Sequence, residues 1–139
     1  MSTQQQQRYA TFAPKLAALG YDVTPLKGKR PILDEWQTRP ECAKDFPKYG
    51  SHNIGVVLGG PHNVIAVDVD VTNPFAANEI ESIIEETLGY APKRIGKAPK
   101  FLMVFRANAR MQKKRTAVFE IDKDDCAVEI LAEGQQFVA

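Results

Sequence analysis

Cysteine and histidine are scarce. Cys42 and Cys126 stand apart with no C-x-x-C spacing, and His52 and His62 form no ligand cluster. That pattern argues against a zinc site and against a disulfide framework, so reduced thiols are expected. Long apolar runs are missing as well: no stretch could span a bilayer as a helix. The opening Met1-Ser2-Thr3-Gln4-Gln5-Gln6-Gln7 lacks the charged-then-apolar order of a secretory signal. A cytoplasmic protein with no membrane partner is therefore expected. There are no internal repeats, and the glutamine run is too short to count as low complexity. Net charge is only +1, which by itself speaks neither for nor against nucleic acid.

What is present suits one folded domain. The 139 residues are 44% hydrophobic, enough for an ordinary core and too apolar for disorder. A single domain over 1–139 is expected, with residues 1–8 flexible. The most informative stretch is Ile65-Ala66-Val67-Asp68-Val69-Asp70-Val71, which sets two carboxylates into a β-branched run. In a strand Asp68 and Asp70 share one face, while Ile65, Val67, Val69 and Val71 take the other. The two aspartate Cα atoms then lie roughly 7 Å apart. Such a pair repels unless a cation lies between, and Mg²⁺ or Mn²⁺ favours this kind of oxygen ligand. The same pair also fits a strand end whose acids cap a turn or face water.

Charge is unevenly distributed. Between positions 89 and 119 stand Lys93, Arg94, Lys97, Lys100, Arg106, Arg110, Lys113, Lys114 and Arg115, without one Asp or Glu. This segment predicts a positive face fit for phosphates or a nucleic-acid backbone; a merely solvated basic face is the plainer alternative.

Periodicity predicts a helix over 9–19, with Phe12, Leu16 and Leu19 on its apolar side, Gly20 as its stop and Pro14 delaying its start or kinking it. A short strand over 21–25 leads to the cationic turn Lys27-Gly28-Lys29-Arg30-Pro31, and the stretch to Gly50 is expected to wrap around Trp36. Lys29 and Arg30 fit phosphate or template contacts as well as they fit a plain basic turn. Trp36 fits packing better than base stacking, and His62 fits a solvent-facing turn. Strands over 54–58 and 64–71, joined by Gly59-Gly60-Pro61-His62-Asn63, predict an antiparallel hairpin that delivers Asp68 and Asp70 to one end of a sheet. Pro74 opens a second helix capped by Asn73 or Thr72, with a stripe of Phe75, Ile80, Ile83, Ile84 and Leu88 that ends at Gly89. Further strands are expected over 101–105, 117–121, 128–131 and 135–138, with Asp122, Lys123, Asp124 and Asp125 as a polar turn. Because the chain stops inside the last strand, a fragment of a longer protein is expected. Glu129, between Val128 and Ile130 on a strand, needs a partner, whether a metal or one of the lysines.

In order along the chain come Gly28-Lys29-Arg30-Pro31 with Trp36, Asn53-Ile54-Gly55-Val56, the 67–70 segment, a basic Gly/Pro loop feeding a strand, and Val128-Glu129-Ile130-Leu131 with Gly134. From about residue 21 to the end this order resembles the N-terminal primase-polymerase domain of phage and plasmid replication proteins, in the archaeo-eukaryotic primase superfamily. The resemblance implies an α+β fold: a mixed or antiparallel, RRM-like catalytic sheet with flanking helices, C-terminally truncated here. It also implies Asp68, Asp70 and Glu129 as the acidic ligands of two divalent ions, Mg²⁺ or Mn²⁺. Where many members carry a histidine before a strand, this chain offers Arg94-x-Gly96-Lys97-x-Pro99-Lys100, which resembles a subgroup variant using cations for substrate binding. The implied function is DNA primer synthesis and extension from nucleoside triphosphates on a single-stranded DNA template, with a helicase domain following in a longer parent. Two rivals stand beside it: a non-catalytic nucleotide- or DNA-binding module of the same fold, and a nucleotide-sugar transferase, which also uses Asp-x-Asp with Mn²⁺. Nine cations without an acid make the last less attractive.

Overall fold

The computed structural model describes residues 7–139, so most of the flexible start expected over 1–8 lies outside the described residues. The elements in chain order are helix α1 (Arg8–Ala18), strands β1 (Asp22–Lys27) and β2 (Arg30–Pro31), two 3₁₀ turns (Pro40–Ala43 and Phe46–Tyr49), β3 (Asn53–Val57), β4 (Val64–Asp70), helix α2 (Pro74–Leu88), β5 (Lys93–Arg94), β6 (Phe101–Arg106), β7 (Lys114–Arg115), β8 (Phe119–Ile121), β9 (Asp124–Leu131) and β10 (Gln136–Val138). This is an α+β fold, and every strand pair among the described residues is antiparallel.

The strands divide into two sheets. The first runs β10-β3-β1-β2; the second runs β5-β6-β4-β9-β7, with β8 paired to β9. The expected hairpin between residues 54–58 and 64–71 is therefore corrected. Only Gly59 and Val64 bridge at its base, after which β3 enters one sheet and β4 the other. The chain crosses back between β9 and β10, and the two crossings touch. A Cβ on Gly59 would stand 2.8 Å from the Glu133 Cα, and Gly59 holds φ +78°. Leu58 N–H donates to the Gln135 carbonyl at 2.9 Å across the same junction.

Three apolar clusters follow from this division. Val67, Val69 and Val71 on one face of β4 pack with Phe101, Met103 and Cys126 against Ala77 and Ile84 of α2. Val56, Leu58, Val64, Ala66, Leu102 and Phe137 join the two sheets. Tyr9, Ala13, Val23, Tyr49 and Ile54 seat α1 on the first sheet. In α1 the inward positions are Tyr9, Ala13 and Leu16, at i, i+4 and i+7. Phe12 and Leu19 of the expected stripe are exposed, and Pro14 lies inside the helix rather than delaying it. The segment up to Gly50 wraps around Tyr9, while Trp36 is half-buried: the Tyr9 phenol donates to the Ala43 carbonyl at 2.9 Å, and its ring meets Phe46 and Tyr49. Burial pushes that phenol's pKa up, which keeps it a donor. Asn73 caps α2 by accepting from the Ala76 N–H at 3.0 Å, and Gly89 at φ +89° ends it. Of its expected stripe, Ile80 and Ile84 pack inward while Phe75, Ile83 and Leu88 are exposed. Asp122 and Lys123, both with positive φ, form the two-residue β8–β9 turn as a polar reversal.

Candidate active-site cleft

Register across the second sheet aligns one row of side chains. Arg94 on β5 faces Leu102 on β6; Leu102 faces Asp68 on β4; Asp68 faces Glu129 on β9; and Glu129 faces Arg115 on β7. Residues opposite one another in antiparallel strands share a face. The row therefore reads cation, apolar, acid, acid, cation on the side away from α2. Period-two alternation adds Asp70 to the same face. Lys100 immediately precedes Phe101, the partner of Val69, and its ammonium sits 2.7 Å from the Asp70 carboxylate.

This face forms one wall of a cleft of about 620 Å³. Asp68, Asp70, Arg94, Lys97 and Lys100 line it from the second sheet, and Lys29, Gln136 and Phe137 line it from the first. Lys97 and Lys100 come from the loop between β5 and β6, closed by a 3.1 Å hydrogen bond from the Lys100 N–H to the Lys97 carbonyl. Gly96 leaves room for Arg94, since a Cβ there would meet its Nη1 at 2.9 Å. Arg94 Nε is buried without a hydrogen-bond partner among the described residues.

Electrostatics divides the three carboxylates. Asp70 pairs with Lys100, and Glu129 pairs with Arg115 Nε at 3.1 Å. Among the described residues, no ion pair or hydrogen bond reaches Asp68. Burial holds its carboxyl above the ordinary carboxylate value; Arg94 opposes this, and the neighbouring Glu129 and Asp70 charges add to the rise. The Asp70 carboxylate in turn raises the Lys100 ammonium. A desolvated acid between two other acids is an oxygen-donor set that fits a hard divalent cation. Among the described residues no three acids, histidines or cysteines already converge as a ligand cluster, and Glu129 is engaged by Arg115.

A family model, the bifunctional DNA primase/polymerase N-terminal domain or Prim-Pol, matches residues 13–139. The chain belongs to the Prim-Pol family. No curated protein matches it. Most of the residues singled out in the sequence meet on this Prim-Pol cleft, but not all. Arg30, on β2, is exposed and outside the lining, as is His62; Glu129 lies beside Asp68 without lining the cleft. The nine-cation segment does not make one face, because Lys93 points to the α2 side, 2.6 Å from Glu81. Sequence reasoning missed Gln136 and Phe137 on the opposite wall, and Arg115 as the partner of Glu129. Nothing local carried a signal for either placement, because both depend on strands brought together from distant parts of the chain. No helix among the described residues is long and apolar enough to cross a membrane.

Proposed function

We propose that this Prim-Pol chain is a template-directed nucleotidyltransferase that extends primers from nucleoside triphosphates on single-stranded DNA. Residues 1–139 act as one catalytic domain whose second sheet is the RRM-like catalytic sheet. The observation that carries the reading is the cross-strand row that puts Asp68 and Glu129 side by side, flanked by Arg94 and Arg115 and continued by Asp70 and Lys100. Asp68, Asp70 and Glu129 would hold divalent ions, Mg²⁺ or Mn²⁺. When bound, such ions neutralise triphosphate charge and activate the attacking 3′-hydroxyl.

The chain's own residues supply position and charge. Arg94, Lys97 and Lys100 bind the β- and γ-phosphates from one wall, and Lys29 approaches from the other. A 3′-oxygen then bonds to the α-phosphorus as the bond to pyrophosphate breaks. Arginine and lysine remain charged near neutral pH, so these cations stabilise the leaving pyrophosphate rather than shuttle protons. Lys100 exchanges its Asp70 partner for phosphate as the site fills. Arg94 already offers an unpartnered buried Nε beside Asp68.

The test is incorporation of labelled nucleotides on single-stranded DNA with Mg²⁺ or Mn²⁺, comparing the chain with Asp68→Ala. Product lost in Asp68→Ala is the expected result; product of equal yield from both would sink the metal role of Asp68. A second reading, nucleotide or DNA binding without turnover, is favoured by one observation: Glu129 is engaged by Arg115. Silence from the unaltered chain with retained nucleotide or DNA binding would select it.

A further inference from the structure

The tip of the β1–β2 hairpin has little ladder to hold it. β2 is two residues long, and one of them, Pro31, has no N–H to give. The loop is Gly28 and Lys29, with Gly28 at φ +63°. Exposed tips of this kind fray unless their carbonyls are held from elsewhere. Here both are held. Asn53 Nδ2 donates to the Gly28 carbonyl at 2.9 Å, and Gln136 Nε2 donates to the Lys29 carbonyl at 3.1 Å. The Asn53 amide is itself oriented, because its Oδ1 accepts from Arg8 Nη1 at 2.7 Å.

Gln136 reaches the turn by way of Gly55. In the sheet order β10-β3-β1-β2, the Gln136 side chain must pass over β3 to reach Lys29. Its Oε1 lies 2.7 Å from where a Cβ on Gly55 would stand, with Leu26 and Thr24 at 2.9 and 3.1 Å from the same point. A glycine inside a strand otherwise weakens it, so close approach by another group is the physical reason for one here.

We propose that Gln136, crossing over Gly55, and Asn53 are positioning residues that clamp the 28–29 turn, so that Lys29 contacts the polyphosphate of a nucleoside triphosphate from the wall opposite Arg94, Lys97 and Lys100. The inference rests on the nucleotidyltransferase reading of the cleft. A lysine on an immobilised turn loses less freedom on binding than one on a frayed tip, so the clamp acts by preorganisation. Nucleotide rather than template is favoured because Lys29 shares its cleft with Asp68 and Asp70.

The test is a titration of the full chain with a fluorescent deoxynucleoside triphosphate in Mn²⁺, across Lys29→Ala, Gln136→Ala, Asn53→Ala, Gly55→Ala and the Lys29→Ala/Gln136→Ala pair. Each single change is expected to weaken binding by roughly three- to tenfold. Gln136→Ala should add nothing once Lys29 is gone, a non-additivity that a merely structural role would not produce. If Gln136→Ala fails to fold, Gly55→Ala and Asn53→Ala run the same cycle. Additive losses overturn the clamp. Unchanged affinity in Lys29→Ala, with binding lost in Arg94→Ala, overturns the inference yet leaves the nucleotide reading of the cleft intact. A loss confined to single-stranded DNA binding reassigns Lys29 to template and overturns it too, and no nucleotide binding by the unaltered chain overturns both.

Discussion

The two faces of β4 share a backbone and differ in everything else. One face carries Val67, Val69 and Val71, sealed between the sheet and α2. The other begins with Val64 and Ala66 inside the inter-sheet core and opens through Asp68 to an exposed Asp70 on the cleft. The valines contribute burial free energy, roughly 1.5–3 kcal/mol for each fully buried side chain. Asp68 does the reverse, because a desolvated acid beside two others destabilises the folded chain. Strand periodicity thus puts the sealed core and the proposed chemistry back to back on one strand.

The largest expected effect tests the cleft face. Asp68→Ala should lower nucleotide incorporation a thousandfold or more, about 4 kcal/mol in the barrier, without lowering the Tm. A Tm that fell with the activity would break the division between the faces. Next comes the sealed face. Val69→Ala should cost about 2 kcal/mol and lower the Tm by roughly 5–10 °C, seen in thermal denaturation, while incorporation per folded molecule is kept.

The third prediction sharpens the contrast through pH. A carboxyl whose folded-state pKa is raised takes up a proton on folding between its ordinary value and the raised one, so it stabilises the fold as pH falls through that window and is a liability above it. Asp68→Asn should therefore melt above the unaltered chain at pH 7, and the gap should narrow as pH falls through the carboxylate range. Equal melting at all pH values would remove the electrostatic strain assigned to Asp68. The smallest effect concerns the rim: Arg115→Ala should change stability by less than about 1 kcal/mol, since the Arg115 side of its pair with the half-buried Glu129 is exposed to solvent. The same change should tighten Mn²⁺ binding, read by electron paramagnetic resonance, by freeing Glu129.

Legibility in the sequence followed the range of the interaction. The alternation at 65–71 and the Asn73 cap with Pro74 and Gly89 are local, and each has the predicted form; the polar turn expected over 122–125 narrows to Asp122-Lys123, because Asp124 and Asp125 already pair in β9. The amphipathic stripes are less legible. In α1 the spacing of Phe12, Leu16 and Leu19 is as helical as that of Tyr9, Ala13 and Leu16, and only the position of the sheet selects between them. The glycine-rich 59–63 connection marked a reversal correctly, yet β3 and β4 part into different sheets after one bridge.

By itself, then, the sequence determined the acid pair, its face, the basic loop that follows and the family these features resemble, because strand period, turn chemistry and charge are properties of neighbouring residues. Only the tertiary structure decided that Glu129 lies beside Asp68, that Arg115 and Lys100 engage the flanking acids, and that Lys29 and Gln136 form the opposite wall. Those placements depend on the register between strands up to about a hundred residues apart and on the two crossings between the sheets, which no local pattern encodes.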